Sequence, residues 1–275
     1  MISVVIPCFN ARKTICRSIT SVLQQSGVDI EVIVVDDGST DDTKEIVDSI
    51  KDPRLQYVWQ VNAGPSAARN KGVELASGKF IAFLDADDEW YPRKLLIQLQ
   101  YMQEKKKLAS VTDVEERSLD GRAYVCKKPD LTNRSSQEVI DLIYQGKITR
   151  NTPTLVVEKN LFNQVGGFDL ELKNREDHYL LCKLAEKGKL CILNEELTIR
   201  HLVRDSYSLN YDIRSYYFDT LIFHMKMYKD FPFIDLKQGI KRTKLMSLKK
   251  SIKSKNILPI FSIILDRKWR EILFS

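Results

Sequence analysis

The first hundred residues of this chain repeat one pattern: an apolar, β-branched run, a polar cluster at its end, then apolar residues at helical spacing. Ile2 to Ile6 is the first such run, and Ile15, Ile19, Val22 and Leu23 follow at helical intervals until Gly27. Ile30 to Val35 repeats the run, Leu55 to Val61 gives a third, and Lys79 to Leu84 a fourth, with a helix predicted between from Ser66 to Ala76. Strands that are apolar without alternation are covered on both faces, so the pattern predicts an α/β fold with a mostly parallel central sheet flanked by helices. Ligands of such sheets bind at the carboxyl ends of the strands. Three polar clusters fall there, Cys8-Phe9-Asn10, Asp36-Asp37 and Asp85-Ala86-Asp87-Asp88, and they are predicted to meet at one crevice. Ser39 or Thr40 is the predicted cap of the second helix, with Asp41 and Asp42 in its first turn.

After Leu95 the alternation loosens. A helix is predicted to about Lys106, strands near Ala109–Val114 and Arg122–Cys126, a helix near Gln137–Tyr144 and a strand at Thr154–Val157. Leu180, Leu181 and Leu184 mark a helix over Asp177–Lys187, closed by Gly188, and from Tyr211 the chain reads as helical. A domain boundary is expected near Asp205–Tyr211, dividing residues 1–205 from a helical, basic extension over 206–275.

Of 275 residues, 43% are hydrophobic and 29% charged, which excludes collagen-like, disordered and low-complexity classes. The net charge of +6 is unevenly spread: residues 236–265 contain no Asp or Glu but hold Lys237, Lys241, Arg242, Lys244, Lys249, Lys250, Lys253 and Lys255. Such a stretch suits an anionic partner, or else is a solvated helix face. With Ile257, Leu258, Ile260 and Phe261 it predicts contact of residues 237–261 with an anionic membrane surface, and the aromatic helices around it allow a homodimer contact; no nucleic acid is expected. Five cysteines with no paired spacing argue against a disulfide framework, and no apolar run nears the ~18 residues that span a bilayer. The chain opens on ISVVIP without a basic leader, so a cytoplasmic location is expected, peripheral on the inner face of the membrane where the basic segment holds it.

Three carboxylates in Asp85-Ala86-Asp87-Asp88 repel one another unless neutralised. A divalent cation that prefers oxygen, Mg²⁺ or Mn²⁺, is the natural neutraliser and brings a substrate phosphate with it. A solvated acidic turn before the helix at Pro92 is the plainer reading of the same residues.

Six segments in order resemble glycosyltransferase family 2: VVIPCFNA from Val4, EVIVVDDGSTDDT from Glu31, NAGPSAARNKG from Asn62, GKFIAFLDADDEWYPRKL from Gly78, VGGFD from Val165 and REDHYLLCKLAEKG from Arg175. They cover roughly the first 200 residues. The resemblance implies the GT-A fold, a nucleotide-sugar-binding half over residues 1–110 and an acceptor-binding half over 111–205. It implies donor contacts from Pro7, from Phe9 stacked on the base, and from Asp37 accepting the base N3–H, which suggests a uracil nucleotide. Asp36 is the alternative to Asp37. Arg69 matches a basic residue near the phosphates, Asp85 a ribose-side or metal-side carboxylate, and Asp87 the metal ligand. Asp177 matches the general base, with Glu176 orienting the acceptor. A hydroxyl nucleophile needs its proton removed as the new bond forms, which a carboxylate in a drying site can do; at a helix start the same acids also favour the macrodipole.

The implied activity is an inverting, metal-dependent, non-processive transfer of one sugar from a UDP-sugar of the UDP-Glc, Gal, GlcNAc or GalNAc type. The acceptor is a saccharide or lipid-linked saccharide of surface polysaccharide synthesis. Many family members carry Tyr-Arg-x-His after the acidic helix, whereas Ile199-Arg200-His201-Leu202 displaces the His by one position. No Q-x-x-R-W motif is present, which argues against a processive synthase. Sugar choice is expected from the surroundings of Trp90 and Thr149–Thr154. A nucleotidyltransferase would need a Gly-rich loop after the first strand, where Pro7-Cys8-Phe9-Asn10-Ala11 stands. A glycoside hydrolase needs opposed carboxylates but no nucleotide site. An inactive nucleotide-sugar-binding relative is the remaining alternative, and the retention of both Asp87 and Asp177 argues against it.

Overall fold

A computed structural model describes residues 1–118, 123–125, 129, 134–148, 152–202 and 212–253. The chain divides into two compact units, residues 1–170 with 180–203, and residues 171–179 with 204–275. The boundary expected near residue 205 lies outside the described residues.

In the first unit the strands form one sheet. Strands β1 (Ile2–Cys8), β2 (Ile30–Asp36), β3 (Leu55–Trp59) and β4 (Phe80–Phe83) pair in parallel in the order β3-β2-β1-β4. Helices α1 (Ile15–Leu23), α2 (Thr43–Ser49) and α3 (Pro65–Leu75) connect them. Beyond β4 the sheet becomes mixed. It continues through β8 (Val156–Glu158), antiparallel to both β4 and β6 (Ala109–Arg117), then β9 (Leu190–His201), parallel to β6, and ends at β5 (Glu89–Trp90); β7 (Ala123–Val125) is antiparallel to β6. The half with strand–helix alternation is all parallel, because a parallel return needs a crossover long enough to hold a helix; beyond it only β6 and β9 pair in parallel. Helix α4 (Lys94–Glu104) follows β5, α5 (Ser136–Tyr144) precedes a short 3₁₀ turn (Thr152–Thr154), and α6 (Lys159–Gln164) follows β8.

Burial explains the uniformly apolar strands. Ile6, Val32, Val34, Ala82 and Leu84 join Ile15, Ile19 and Val22 of α1 and Leu95 of α4 in one core cluster. On the opposite face Phe83 meets Phe168 edge-on at 5.2 Å and Phe162 at 5.7 Å. Burying one such aliphatic or aromatic side chain stabilises the fold by roughly 1.5–3 kcal/mol. Helix α3 lies so close to β1 that a Cβ on Gly72 would stand 2.3 Å from Val5 Cγ1.

Local signals held in part. Ser135 and Glu138 form a capping box that starts α5. Ser39 and Thr40 do not cap α2, whose first residue is Thr43; they tie the β2 loop to the β1 loop instead. The strand predicted from Thr154 begins at Val156, since Thr152–Thr154 is a 3₁₀ turn. Trp90 is a core residue: its indole N–H donates to the Pro153 carbonyl at 2.8 Å, and the Lys94 ammonium lies 4.3 Å from its ring centre. Lys94 is wholly buried and donates to Gln98 Oε1 at 2.7 Å; Gln98 in turn donates to the carbonyls of Ser110 and Thr154.

Helix α7 (Glu176–Glu186) begins in the second unit, which also holds α8 (Ile213–Asp230) and α9 (Leu236–Lys253). Asp212 caps α8 by accepting the Ser215 N–H at 2.9 Å. Ile213, Tyr217, Leu221 and Ile240 form this unit's core cluster. The buried stripe of α9 is small and polar at four-residue spacing, Gly239, Thr243, Ser247 and Ser251, and Thr243 bonds His224 of α8 at 2.9 Å. Burial, then the Arg175 charge, pushes the His224 imidazole down to about 3, so it is neutral. Among the described residues no helix is long and apolar enough to cross a membrane.

Candidate active site

The parallel pairing of β1 with β2 and β4 brings their carboxyl ends to one edge of the sheet. At the end of β1, Pro7 is buried opposite Val35, past the last β1–β4 pair at Val5, so its missing N–H interrupts no ladder there. Phe9, the next exposed residue, is 53% accessible. Asn10 takes a left-handed backbone, which its short polar side chain tolerates. Its N–H donates to Ser39 Oγ, and its Oδ1 accepts the Thr40 N–H, both at 2.8 Å. The loops after β1 and β2 are thereby stitched together.

Asp36 ends β2, Asp37 follows it, and both are buried. Asp36 accepts the Ser39 N–H at 2.7 Å and the Tyr57 hydroxyl at 2.7 Å. Asp37 Oδ1 accepts from Gln60 Nε2 at 2.7 Å and from the Ala63 N–H at 2.9 Å, while Oδ2 accepts the Gly64 N–H at 2.8 Å. Asp37 therefore fixes the turn that leads into α3. With about four acceptor positions on a carboxylate, it keeps one on Oδ2.

Arg69, buried on α3, donates to Asp85 Oδ1 at 2.8 Å and stacks over Phe168 at 5.3 Å. Asp85, Asp87 and Asp88 form a tight turn in which the Asp88 N–H donates to the Asp85 carbonyl at 3.1 Å. Burial, then the charge of Asp85, raises the Asp87 carboxyl above its ordinary value, against smaller opposing effects of Arg200 and Arg17. Asp88 is buried more deeply and is raised for the same reason, by desolvation first and by its two neighbours next. Its carboxylate accepts the His201 backbone N–H at 3.1 Å.

Arg69 offsets part of this negative charge at Asp85, and the hard oxygen donors that remain fit Mg²⁺ or Mn²⁺. Among the described residues no group of three His, Cys, Asp or Glu side chains gathers to hold a metal ion. A cation here would take its remaining ligands from phosphate and water, as these ions commonly do. The His201 imidazole faces elsewhere: its Nε2 lies 2.5 Å from the Glu89 carboxylate.

Glu176 and Asp177 open α7 in the second unit. Arg175, just before them, has φ of 60°, and its guanidinium lies 5.5 Å over Phe223. Asp177 Oδ1 accepts from both the backbone N–H and the Nδ1–H of His178, each at 2.8 Å. The contacts made by Arg17, Glu89 and His178 left no mark in the sequence.

Residues 3–164 match the family described as Glycosyl transferase family 2. The chain belongs to glycosyltransferase family 2. It is 31% identical over 230 residues to the succinoglycan biosynthesis protein ExoO of Rhizobium meliloti, covering 80% of this chain and 66% of that protein. It is 29% identical over 202 residues to the UDP-Glc:alpha-D-GlcNAc-diphosphoundecaprenol beta-1,3-glucosyltransferase WfgD of Escherichia coli, covering 70% and 73%. Three rickettsial glycosyltransferases, 32–43% identical, are longer, and the chain spans 18–32% of them. The fold of S. aureus TarS 1–349, solved in complex with UDP-GlcNAc, superposes with a TM-score of 0.66 at 20% identity, covering 98% of this chain and 91% of that one. This member of family 2 thus has the GT-A architecture.

Proposed function

We propose that this glycosyltransferase moves a single sugar from a UDP-sugar to a saccharide or lipid-linked saccharide acceptor, with inversion and with Mn²⁺ or Mg²⁺ bound. The observation that carries the donor side is the joined carboxyl edge of β1, β2 and β4, where an exposed Phe9, a buried Asp37 and the charged Asp87 turn stand on one sheet. Phe9 stacks the uracil, and the open acceptor position on Asp37 takes its N3–H. Pro7 shapes the loop that carries Phe9. Arg69 holds Asp85 toward the ribose and phosphates. Asp87, with Asp85, would hold the cation, which when bound stabilises charge developing on the departing diphosphate.

Asp177 removes the acceptor hydroxyl proton as that oxygen attacks the anomeric carbon, and the carbon–oxygen bond to UDP breaks on the opposite face. One displacement from an α-linked donor gives a β-glycoside. Glu176 orients the acceptor. The names of WfgD and ExoO support a UDP-hexose donor and a polysaccharide or lipid-diphosphate-linked acceptor. A panel of UDP- and GDP-sugars, read by release of nucleoside diphosphate, tests this. UDP release from at least one UDP-hexose, abolished by EDTA and restored by MnCl₂, is the expected result; turnover confined to GDP-sugars would overturn the uracil assignment.

A lipid-linked acceptor puts the enzyme beside a membrane. Helix α9 supports such contact, because Lys241, Leu245, Lys249 and Ile252 share one exposed stripe and the helix contains no acid. Flotation with vesicles containing phosphatidylglycerol is expected to carry the protein upward, and neutral phosphatidylcholine vesicles are expected to leave it behind. Equal recovery with both would remove the electrostatic attraction.

A further inference from the structure

We infer that Arg17, held in place by Glu89, is a positioning residue for Asp87. This inference rests on the proposal that Asp87 holds the divalent cation, and it concerns the groups that fix Asp87 in its turn. Asp87 is half-buried, and the neighbouring elements reach it through its backbone carbonyl.

Three elements supply that restraint. From α1, the Arg17 Nη2–H donates to the Asp87 carbonyl at 2.7 Å, and the Ser18 hydroxyl donates to the Asp88 carbonyl at 2.8 Å. From β9, the His201 N–H donates to the Asp88 carboxylate at 3.1 Å. From β5, the Glu89 carboxylate closes the ring: it lies 3.2 Å from Arg17 Nε and 2.5 Å from His201 Nε2. Arg17 spans two of these partners, because its planar fork can aim one N–H at the Asp87 carbonyl while Nε faces Glu89. A lysine at the same place could hold one of the two. Helix α1 thereby sets the Arg17 guanidinium against the backbone of the acidic turn.

Residues that orient a ligand tune metal affinity even though they never touch the metal. Their loss typically weakens binding by about 10–100-fold. The test is calorimetric titration of UDP into the intact protein, with and without MnCl₂, for wild type, Arg17→Met, Arg17→Lys and Glu89→Gln. Wild type is expected to bind UDP more tightly with Mn²⁺. Arg17→Met is expected to lose about tenfold of that gain, with metal-free UDP affinity and thermal midpoint near wild type. Arg17→Lys and Glu89→Gln are expected to fall between. A general loss of structure would lower metal-free affinity and midpoint together, and so is distinguished from loss of positioning. An Arg17→Met protein whose Mn²⁺ gain equals that of wild type overturns the inference. A wild-type protein with no Mn²⁺ gain overturns the metal proposal itself, and the positioning role with it.

Discussion

An Asp177→Asn protein binds UDP as wild type does and transfers sugar at about a thousandth of the wild-type rate, in line with the contribution of a positioned general base. The amide matches the carboxylate in shape and still offers an oxygen to the His178 N–H and Nδ1–H, which both reach Oδ1 at 2.8 Å. What it loses is the ability to take a proton. The His178 ring, buried and set edge-on to Phe223 at 5.9 Å, fixes the direction of the acid, so little else need change. Single-turnover transfer measured beside UDP titration separates the two properties. Transfer within tenfold of wild type would remove Asp177 from the proton-transfer role, and a parallel loss of UDP affinity would mark it as structural.

The second large effect lies away from the acidic turn. Lys94 is wholly buried with no carboxylate partner among its described contacts, and burial lowers its ammonium from 10.5 to about 7. Between those values the unfolded chain binds a proton that the folded chain refuses, so stability falls as pH drops from about 10.5 to about 7 and then levels. At 1.36 kcal/mol per unit, the full cost below pH 7 is about 5 kcal/mol, and the Trp90 face beneath the ammonium offsets up to about 2 kcal/mol. Lys94→Met removes this dependence but leaves Gln98 Oε1 without its donor, a loss of about 1–3 kcal/mol at every pH. Relative to wild type, the Met protein is therefore expected to gain about 3 kcal/mol on going from pH 10 to pH 6.5, being the less stable of the two at the alkaline end. Urea unfolding across that range reads it directly. A constant difference between the two proteins would mean that Lys94 stays charged in the fold or meets water there.

Both effects bear on what the amino-acid sequence makes visible. Apolar runs such as Ile30 to Val35 announce a strand buried on two faces, and the acids after them announce a ligand edge, because both signals are local in the chain. Asp37, Asp85 and Asp87 were therefore legible as candidates, while Arg69, Glu176, Asp177 and the stacking role of Phe9 came from the family resemblance alone. Their partners were not legible. Ser39 reads as a helix cap, yet its hydroxyl serves Asn10 across the loop. Trp90 reads as a pocket wall, yet its indole is spent on the Pro153 carbonyl. Lys94 carries no local sign of its burial, which comes with the contacts of Trp90 and Gln98 to the Thr152–Thr154 turn. The antiparallel pairings of β8 escape notice for a related reason, since short strands carry too few residues to declare a direction. Contacts made over long separations, as between Arg17 and Asp87, depend on the assembled sheet and leave no local mark.

A crystal of the protein grown with UDP and MnCl₂ tests most directly whether the carboxyl edge of β1, β2 and β4 grips a nucleotide diphosphate. The expected map has uracil against Phe9, its N3 facing Asp37, and an anomalous manganese peak between Asp87 and the diphosphate. UDP bound away from Phe9, or saturating manganese with no peak beside Asp87, would contradict it.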